Sequence, residues 1–228
     1  MKPRPPVTAH ERFQQRAGEF EGLDLRERFR RIRETNLWGS DDSVSGLGSE
    51  LAATERLRTE LPEFIRSIGA KSLLDIPCGD FGWLSRADLS GLDYTGADIV
   101  EALVAENSRS YPKRFRQLDL CASALPRVDL VLCRDCLVHL SFGNIMRAVE
   151  NLRRSGSEWL LTTHFLECES NSDIADGDWR MLNFELEPFC WGPPARLLVE
   201  GCTESGGGYA DKTLALWPIS GLTRNGRR

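Results

Sequence analysis

The sequence contains no run of 18 or more apolar residues, and no hydrophobic segment follows its first residues, which include Pro3, Pro5 and Pro6. A membrane-spanning helix needs about 20 consecutive apolar residues, and a secretory signal needs an apolar core of at least about seven. We therefore expect a soluble, cytoplasmic protein without a membrane partner.

The sequence also lacks an excess of positive charge. Its 29 lysines and arginines stand against 34 aspartates and glutamates, so the formal net charge is −5. Proteins that bind nucleic acid neutralise phosphates with a basic surface. We expect no nucleic-acid partner, and we interpret the arginines between Arg26 and Arg33 as the solvated face of a charged helix.

The seven cysteines do not suggest a disulfide framework, because their number is odd and several of them lie in or beside apolar segments. Buried thiols are the simpler interpretation. Cys133, Cys136 and His139 have a spacing that zinc ligands can have, but no second Cys-x-x-Cys pair accompanies them. We predict no metal site.

The length of 228 residues fits one main domain. A charged helical lid is predicted from Glu11 to Thr35, and a second helix from Glu50 to Ser67, where apolar residues recur at helical spacing before Gly69. We expect loosely held ends over residues 1–9 and 221–228. The predicted division is an N-terminal tail, lid and polar loop over 1–50, the main domain over 51–220, and a flexible tail over 221–228.

From residue 72 onward, short apolar segments alternate with segments that can form helices or turns, which is typical of βαβ units. They predict seven strands, at Ser72–Ile76, Tyr94–Ala97, Phe115–Leu118, Leu130–Cys133, Trp159–Thr163, Leu197–Val199 and Thr213–Trp217. The last two follow each other closely, as in an antiparallel hairpin. The predicted fold class is α/β: a Rossmann-like, seven-stranded, mainly parallel sheet with helices on both faces, a closing antiparallel hairpin and an N-terminal helical lid.

The first predicted strand ends in Asp75 and leads into a turn with Gly79, Asp80 and Gly82, after which we predict a helix. Open α/β sheets bind ligands at the carboxyl ends of their strands. Two carboxylates at this turn would repel a pyrophosphate but attract a cation. S-adenosylmethionine, which has a sulfonium, an ammonium and one carboxylate, therefore fits these acids better than a dinucleotide does.

Two further acids follow at the next strand ends. Asp98 lies about 20 residues after Asp75, a spacing at which a carboxylate can bind ribose hydroxyls. Asp119 follows the third strand, where it can accept a hydrogen bond from an adenine amino group. Either acid alone is compatible with a turn or a helix cap. Three acids at three successive strand ends favour an adenosyl ligand.

The order of segments from Leu73 to Trp217 resembles that of class I S-adenosylmethionine-dependent methyltransferases. The segments Trp38-Gly39, Ser43–Gly46, 133–141 and 177–180 resemble those of one bacterial group within that family. In the family, the turn after the first strand has three alternating glycines. Here Pro77 replaces the first and Phe81 the third, which leaves Gly79.

The resemblance implies that the cofactor is S-adenosyl-L-methionine and that the reaction is methyl transfer to a small-molecule acceptor. It implies that Leu120 flanks the adenine and that Arg134 or Asp135 faces the transferred methyl group. The cofactor-binding residues that we predict are Trp38, Asp75, Cys78, Gly79, Asp98, Ile99, Asp119, Leu120 and Arg134.

A long polar segment between residues 164 and 190 follows the fifth predicted strand. Long loops in compact domains are often functional lids, so we expect it to enclose the acceptor together with residues 38–49. Methyl transfer depends mainly on alignment. If the acceptor is a hydroxyl or an amine, the candidate catalytic residues that would remove its proton are Asp135, His139 and His164.

Two alternatives remain open at this point. One is an NAD-dependent oxidoreductase with a related doubly wound sheet, against which Asp80 and the closing hairpin argue. The other is a non-catalytic partner that binds S-adenosylmethionine. The sequence does not identify the acceptor or the oligomeric state.

Overall fold

The computed structural model describes residues 4–222, and a single sheet lies at its centre. The strands are β1 (Ser72–Asp75), β2 (Asp93–Asp98), β3 (Arg114–Gln117), β4 (Leu130–Cys133), β5 (Trp159–Phe165), β6 (Arg196–Val199) and β7 (Lys212–Pro218). Their order is β3-β2-β1-β4-β5-β7-β6, and only the pairs of β7 with β5 and β6 are antiparallel within the described residues. The predicted seven-stranded, mainly parallel sheet with a closing hairpin is confirmed.

Helices cover both faces of this sheet, as predicted. Those of at least two turns are α1 (Thr8–Gln15), α2 (Leu25–Glu34), α3 (Glu55–Ser67), α4 (Glu101–Ser110) and α5 (Phe142–Ser155). Neighbouring strand residues point to opposite faces. Leu73 is therefore buried in one core with Leu61 of α3, and Leu74 in the other core with Val149 of α5.

The parallel register brings the ends of four strands to one edge of the sheet. Asp75 at the end of β1 is paired with Gly96 of β2 and Leu132 of β4, and Asp98 at the end of β2 is paired with Gln117. The chain leaves all four strands at this edge. Side chains that follow each strand end therefore meet there.

The predicted single helix from Glu11 to Thr35 is wrong, because the chain breaks it into α1, a 3-10 turn at Ala17–Phe20 and α2. Asp24 caps α2: its carboxylate accepts a hydrogen bond from the amide of Glu27, whose carboxylate accepts one from the amide of Asp24. This reciprocal cap satisfies amides that a continuous helix would have bonded internally.

Two other predicted helices differ from the structure. α3 begins at Glu55 rather than Glu50, and Leu51, which lies before the helix, is 46% exposed. The glycine turn after β1 leads to a 3-10 turn at Leu84–Arg86 instead of an α-helix. Phe81 has a φ of 57°, which is incompatible with a right-handed helix.

The described parts of the two predicted loose ends are held in place. The guanidinium of Arg4 pairs with Asp211, the hydroxyl of Tyr209 donates to the carbonyl of Pro5 at 2.7 Å, and Val7 is buried. At the other end, Leu222 is buried and its carbonyl accepts a hydrogen bond from Arg153. The remaining predicted tail residues, 1–3 and 223–228, lie outside the described residues.

No helix among residues 4–222 has both the length and the apolar composition needed to cross a membrane.

Candidate functional site

A first cavity, of about 1010 Å³ including its mouth, opens at the edge where β1 to β4 end. Asp75, Asp98 and Asp119 all line it. The lining contains every residue predicted to bind cofactor: Trp38, Asp75, Cys78, Gly79, Asp98, Ile99, Asp119, Leu120 and Arg134. The structure thus brings these nine residues together, and their contacts with a ligand stay a prediction.

Asp98 connects the end of β2 to the glycine turn. Its Oδ2 accepts a hydrogen bond from the amide of Gly79 at 3.1 Å, and its Oδ1 accepts one from the amide of Val100 at 2.9 Å. Gly79 has a φ of +53°, which side chains rarely tolerate. The turn therefore places a glycine backbone at the cavity wall with a buried carboxylate behind it.

Phe81, which stands where the family pattern has a third glycine, adopts a left-handed backbone with a φ of 57°. Its ring lies against Tyr94, Tyr111 and Phe115, with centroid distances of 4.9, 5.0 and 5.3 Å. This aromatic packing offsets the backbone strain that a glycine would avoid. Phe81 in place of the third glycine therefore keeps the left-handed backbone conformation at this position of the turn.

Asp75 and Asp98 are each only 4% exposed as whole residues. Burial raises the pKa of Asp75 to about 7, although a hydrogen bond from the Tyr94 hydroxyl at 2.7 Å opposes the rise. Burial also raises the pKa of Asp98 to about 6, against its backbone hydrogen bonds. A cation in the first cavity would favour the ionised form of both groups.

The polar loop before α3 covers the glycine turn. Ser43 donates its hydroxyl to Asp80 Oδ2 at 2.7 Å, and the amide of Asp80 donates to Ser45 Oγ at 3.2 Å. A Cβ at Gly79 would lie 2.1 Å from Ser45 Oγ. Glycine is thus required here both by its conformation and by the close approach of the loop.

A second cavity, of about 820 Å³ including its mouth, adjoins the first and shares Trp38, Ser45 and Asp135 with it. Five rings line it, those of Trp38, His139, Phe165, Trp179 and Tyr209. Its lining also contains Glu204 and Lys212, from the segment between β6 and β7 and the start of β7. Two adjoining cavities can hold two ligands side by side.

His139 lies in the second cavity in a defined protonation state. Its Nδ1 is 2.7 Å from the carbonyl oxygen of Asp178, which can only accept, so Nδ1 carries the proton. Burial lowers the pKa of His139 to about 4, although this hydrogen bond opposes the change. The ring is therefore neutral near pH 7, and the lone pair of its Nε2 can accept a hydrogen bond.

Comparisons with solved structures identify the fold. Burkholderia thailandensis 1,6-didemethyltoxoflavin-N1-methyltransferase, with bound 1,6-didemethyltoxoflavin and S-adenosylhomocysteine, matches at a TM-score of 0.58 and 14% identity, over 94% of this chain and 92% of that one. Magnesium protoporphyrin IX methyltransferase from Synechocystis PCC 6803, with bound S-adenosylmethionine, matches at a TM-score of 0.56 and 13% identity, over 87% and 98%. The chain has the class I methyltransferase fold. No family model and no curated protein matches the sequence.

In this methyltransferase fold, α2 contributes to the first cavity a residue that was not predicted from the sequence. Arg33 was interpreted as part of a solvated helix face, but it lines the first cavity. Its Nε and the Nε1 of Trp38 are buried and have no hydrogen-bond partner among residues 4–222. Arg33 was hidden in a run of similar arginines, and only the docking of α2 distinguishes it.

His164, a predicted catalytic residue, lines neither cavity of the methyltransferase fold. It is fully buried in the core on β5, where its ring lies 5.3 Å from Trp217 and its Nδ1 accepts a hydrogen bond from the amide of Phe184. Burial lowers the pKa of His164 to about 4. A structural role fits this position.

Arg134 and Asp135 belong to a charge cluster between the cavities, which consists of Arg134, Asp135, Glu200, Glu204 and Lys212. Lys212 Nζ donates to Asp135 Oδ2 at 2.7 Å, and Arg134 Nη2 donates to Glu200 at 2.8 Å. Burial would raise the pKa of Asp135, but Lys212 and Arg134 outweigh it and hold that pKa below its usual range. Asp135 is therefore a poor proton acceptor.

The long segment after β5 packs on the N-terminal helices. Asp178 receives hydrogen bonds from Gln14 at 2.7 Å and lies 2.7 Å from His10 Nδ1, and Arg28 donates to the carbonyl of Asp176 at 3.2 Å. These contacts join the long segment to α1 and α2. That it encloses the acceptor together with residues 38–49 stays a prediction. Among residues 4–222, no group of three or more His, Cys, Asp or Glu side chains is arranged to hold a metal ion.

Proposed function

We propose that this chain transfers the methyl group of S-adenosylmethionine to a small-molecule acceptor. The observation that carries the proposal is the convergence of Asp75, Asp98 and Asp119, from the ends of three adjacent strands, on the first cavity. Their negative charge suits a ligand with two cationic groups.

The lining of the first cavity fits the different parts of this cofactor. Asp98 suits ribose hydroxyls, and Asp119 with Leu120 suits the adenine. The Nε of Arg33 and the Nε1 of Trp38, which have no partner among residues 4–222, suit a carboxylate, while Nη2 of Arg33 pairs with Glu106. A dinucleotide fits less well, because its pyrophosphate needs a helix N-terminus after β1, where this chain has a 3-10 turn.

The solved structures support the same ligand class. The Synechocystis methyltransferase holds S-adenosylmethionine, and the Burkholderia enzyme holds S-adenosylhomocysteine beside its small-molecule acceptor. We carry the cofactor class over to this chain as part of the proposal, together with activity as an enzyme. The cytoplasmic location and the lack of a nucleic-acid partner remain predictions from composition.

The second cavity is the proposed acceptor site, since it shares Trp38, Ser45 and Asp135 with the first. When bound, the cofactor supplies an electrophilic methyl group. The contribution of the protein is then to align an acceptor atom and to keep water out. A pKa of about 4 makes His139 a weak base, so its proposed role is to accept a hydrogen bond at Nε2 from a hydroxyl or amine acceptor. Asp135, ionised through its contacts with Lys212 and Arg134, would hold neighbouring groups in place.

Calorimetric titration of the purified protein with S-adenosylmethionine, S-adenosylhomocysteine and NAD tests the ligand class. We expect binding of both adenosyl ligands and none of NAD. Binding of NAD alone would replace the proposal with an oxidoreductase. If no ligand binds, the methyl-transfer proposal is wrong for this chain on its own.

A further inference from the structure

The charge cluster has more carboxylates than cations. Arg134 and Lys212 stand against Asp135, Glu200 and Glu204. The side chains of Arg134, Lys212 and Glu200 are 5%, 6% and 2% exposed, so water screens their charges weakly. The side chain of Glu204 is 24% exposed. Three carboxylates against two cations leave one negative charge uncompensated in this partly buried cluster, and a further cation would balance it.

Glu204 is the carboxylate that lacks a hydrogen-bonded cation. Arg134 and Lys212 lie within 2.8 and 2.7 Å of Glu200 and Asp135, whereas the nearest cation to Glu204 is Lys212 at 3.9 Å. Burial raises the pKa of Glu204, and Lys212 only partly opposes this. Within residues 4–222 its side chain has an ion pair but no hydrogen bond.

Glu204 lines the second cavity next to aromatic rings. Trp179 and Tyr209 lie edge to face at 5.3 Å, Phe165 lies 5.9 Å from Trp179, and Trp38 lies 4.7 Å from His139. Ring faces attract flat apolar groups and also cations. The second cavity thus combines aromatic walls with a carboxylate that needs a cation.

We propose that the second cavity binds an acceptor with a flat ring body and a basic amine, and that Glu204 binds the amine. This inference rests on the proposed function, because it specifies the acceptor of that reaction. Glu204 then makes the second cavity select an acceptor with a positive charge.

An anionic or neutral acceptor fits the second cavity less well. Lys212 is the sole lysine or arginine among the described lining residues, and its Nζ is within 4 Å of three carboxylates. Its positive charge is therefore already compensated and is not available to an anionic acceptor. A neutral alcohol would leave Glu204 with only its 3.9 Å contact to Lys212, while an ammonium group would balance the charges of the cluster.

The test uses three probes that differ in one polar group: phenethylamine, phenethyl alcohol and phenylacetate. Each is titrated into protein saturated with S-adenosylhomocysteine, and binding is followed by calorimetry or NMR. We expect the amine to bind about tenfold or more tightly than the other two, since a hydrogen bond between charged groups is stronger than one between neutral groups. Equal affinities, tighter binding of phenylacetate, or no binding of any probe would overturn the inference.

Glu204→Gln removes the charge at nearly constant volume and is expected to abolish the preference for the amine. Glu63→Gln, an exposed position in α3, is the matched control and should preserve it. In the ligand-free protein, Glu204→Gln should leave Tm unchanged or raise it, because it relieves the excess of negative charge. A clear loss of Tm would indicate a structural role and contradict the inference.

The two proposals fail in different ways. If the unmodified protein does not bind S-adenosylhomocysteine, the proposed function is contradicted. The three probes would then be titrated into the ligand-free protein. Retained S-adenosylhomocysteine binding without a preference for the amine would contradict only the assignment of Glu204.

Discussion

Oδ2 of Asp98 accepts a hydrogen bond from the backbone amide of Gly79 at 3.1 Å, which joins the end of β2 to the turn after β1. The strand-end carboxylate thus supports the backbone of the turn while it lines the first cavity. Binding of a ligand to Asp98 therefore depends on the conformation of the turn as well.

Asp98→Ala should weaken binding of S-adenosylmethionine by roughly 1–3 kcal/mol, or about 5- to 150-fold in Kd. The reason is the loss of a buried carboxylate that we expect to accept hydrogen bonds from ribose. Calorimetric titration measures the change.

Asp129→Ala is the matched control for that variant. Asp129 also accepts two backbone hydrogen bonds, from Lys71 and Ser72 at 2.8 and 2.9 Å, but it lies before β4 at the opposite edge of the sheet. Asp129→Ala should lower the free energy of unfolding without changing the Kd for S-adenosylmethionine. Equal Kd values for Asp98→Ala and the unmodified protein would remove Asp98 from the binding site.

The binding of S-adenosylmethionine should tighten as the pH rises from about 5 to about 8. Burial raises the pKa of Asp75 to about 7 and that of Asp98 to about 6, so both carboxyl groups become charged within this interval. Each pKa unit by which the cationic ligand lowers these values corresponds to about a tenfold change in affinity. S-adenosylhomocysteine, which lacks the sulfonium, should show a weaker pH dependence.

Thermal shifts provide a second measurement of the same effect. The folded, ligand-free protein holds the protons of Asp75 and Asp98 more tightly than the unfolded chain does. Their contribution to stability is therefore greatest at low pH and is lost as the pH rises through about 6 and about 7. A cationic ligand offsets that loss, so the increase in Tm on ligand addition should be larger at about pH 8 than at about pH 5. Equal increases would show that the ligand does not favour the ionised form of these carboxyl groups.

Gly79→Ala should lower both stability and cofactor affinity. Alanine at a φ of +53° costs about 1–2 kcal/mol, and its Cβ would lie 2.1 Å from Ser45 Oγ, which displaces the loop or the turn. Gly91→Ala is the control, because Gly91 has a φ of +74° with no atom within 4 Å of the added Cβ. Gly91→Ala should lower the free energy of unfolding without changing cofactor affinity. Denaturant unfolding and titration with S-adenosylhomocysteine separate the two effects, and matching results for both variants would contradict the role of the turn.

His164→Gln should lower the free energy of unfolding by about 1–3 kcal/mol, since it disturbs a buried hydrogen bond with the Phe184 amide. The Kd for S-adenosylhomocysteine should stay the same, because His164 lines neither cavity. A variant with normal stability and impaired ligand binding would instead support a place for His164 in the site.

The strands and the acids at their ends could be predicted from the sequence because both depend on local patterns. The apolar segments Leu73–Leu74, Leu130–Cys133 and Trp159–Leu161 are each followed directly by a polar residue, and parallel pairing brings the ends of their strands to the same edge of the sheet. The second cavity could not be predicted in this way. Its lining extends from Val7 to Lys212, and no local pattern connects these positions.

The sequence by itself determined the α/β sheet, its closing hairpin and nine of the residues around the first cavity, since alternation of apolar segments and the strand-end acids are properties of short segments. Only the tertiary structure decided that Arg33 turns to the first cavity, that His164 lies in the core, and that Glu204 adjoins Lys212. The burial and pairing of a charged side chain depend on segments far away in the chain, and that packing is what changes its charge and its chemistry.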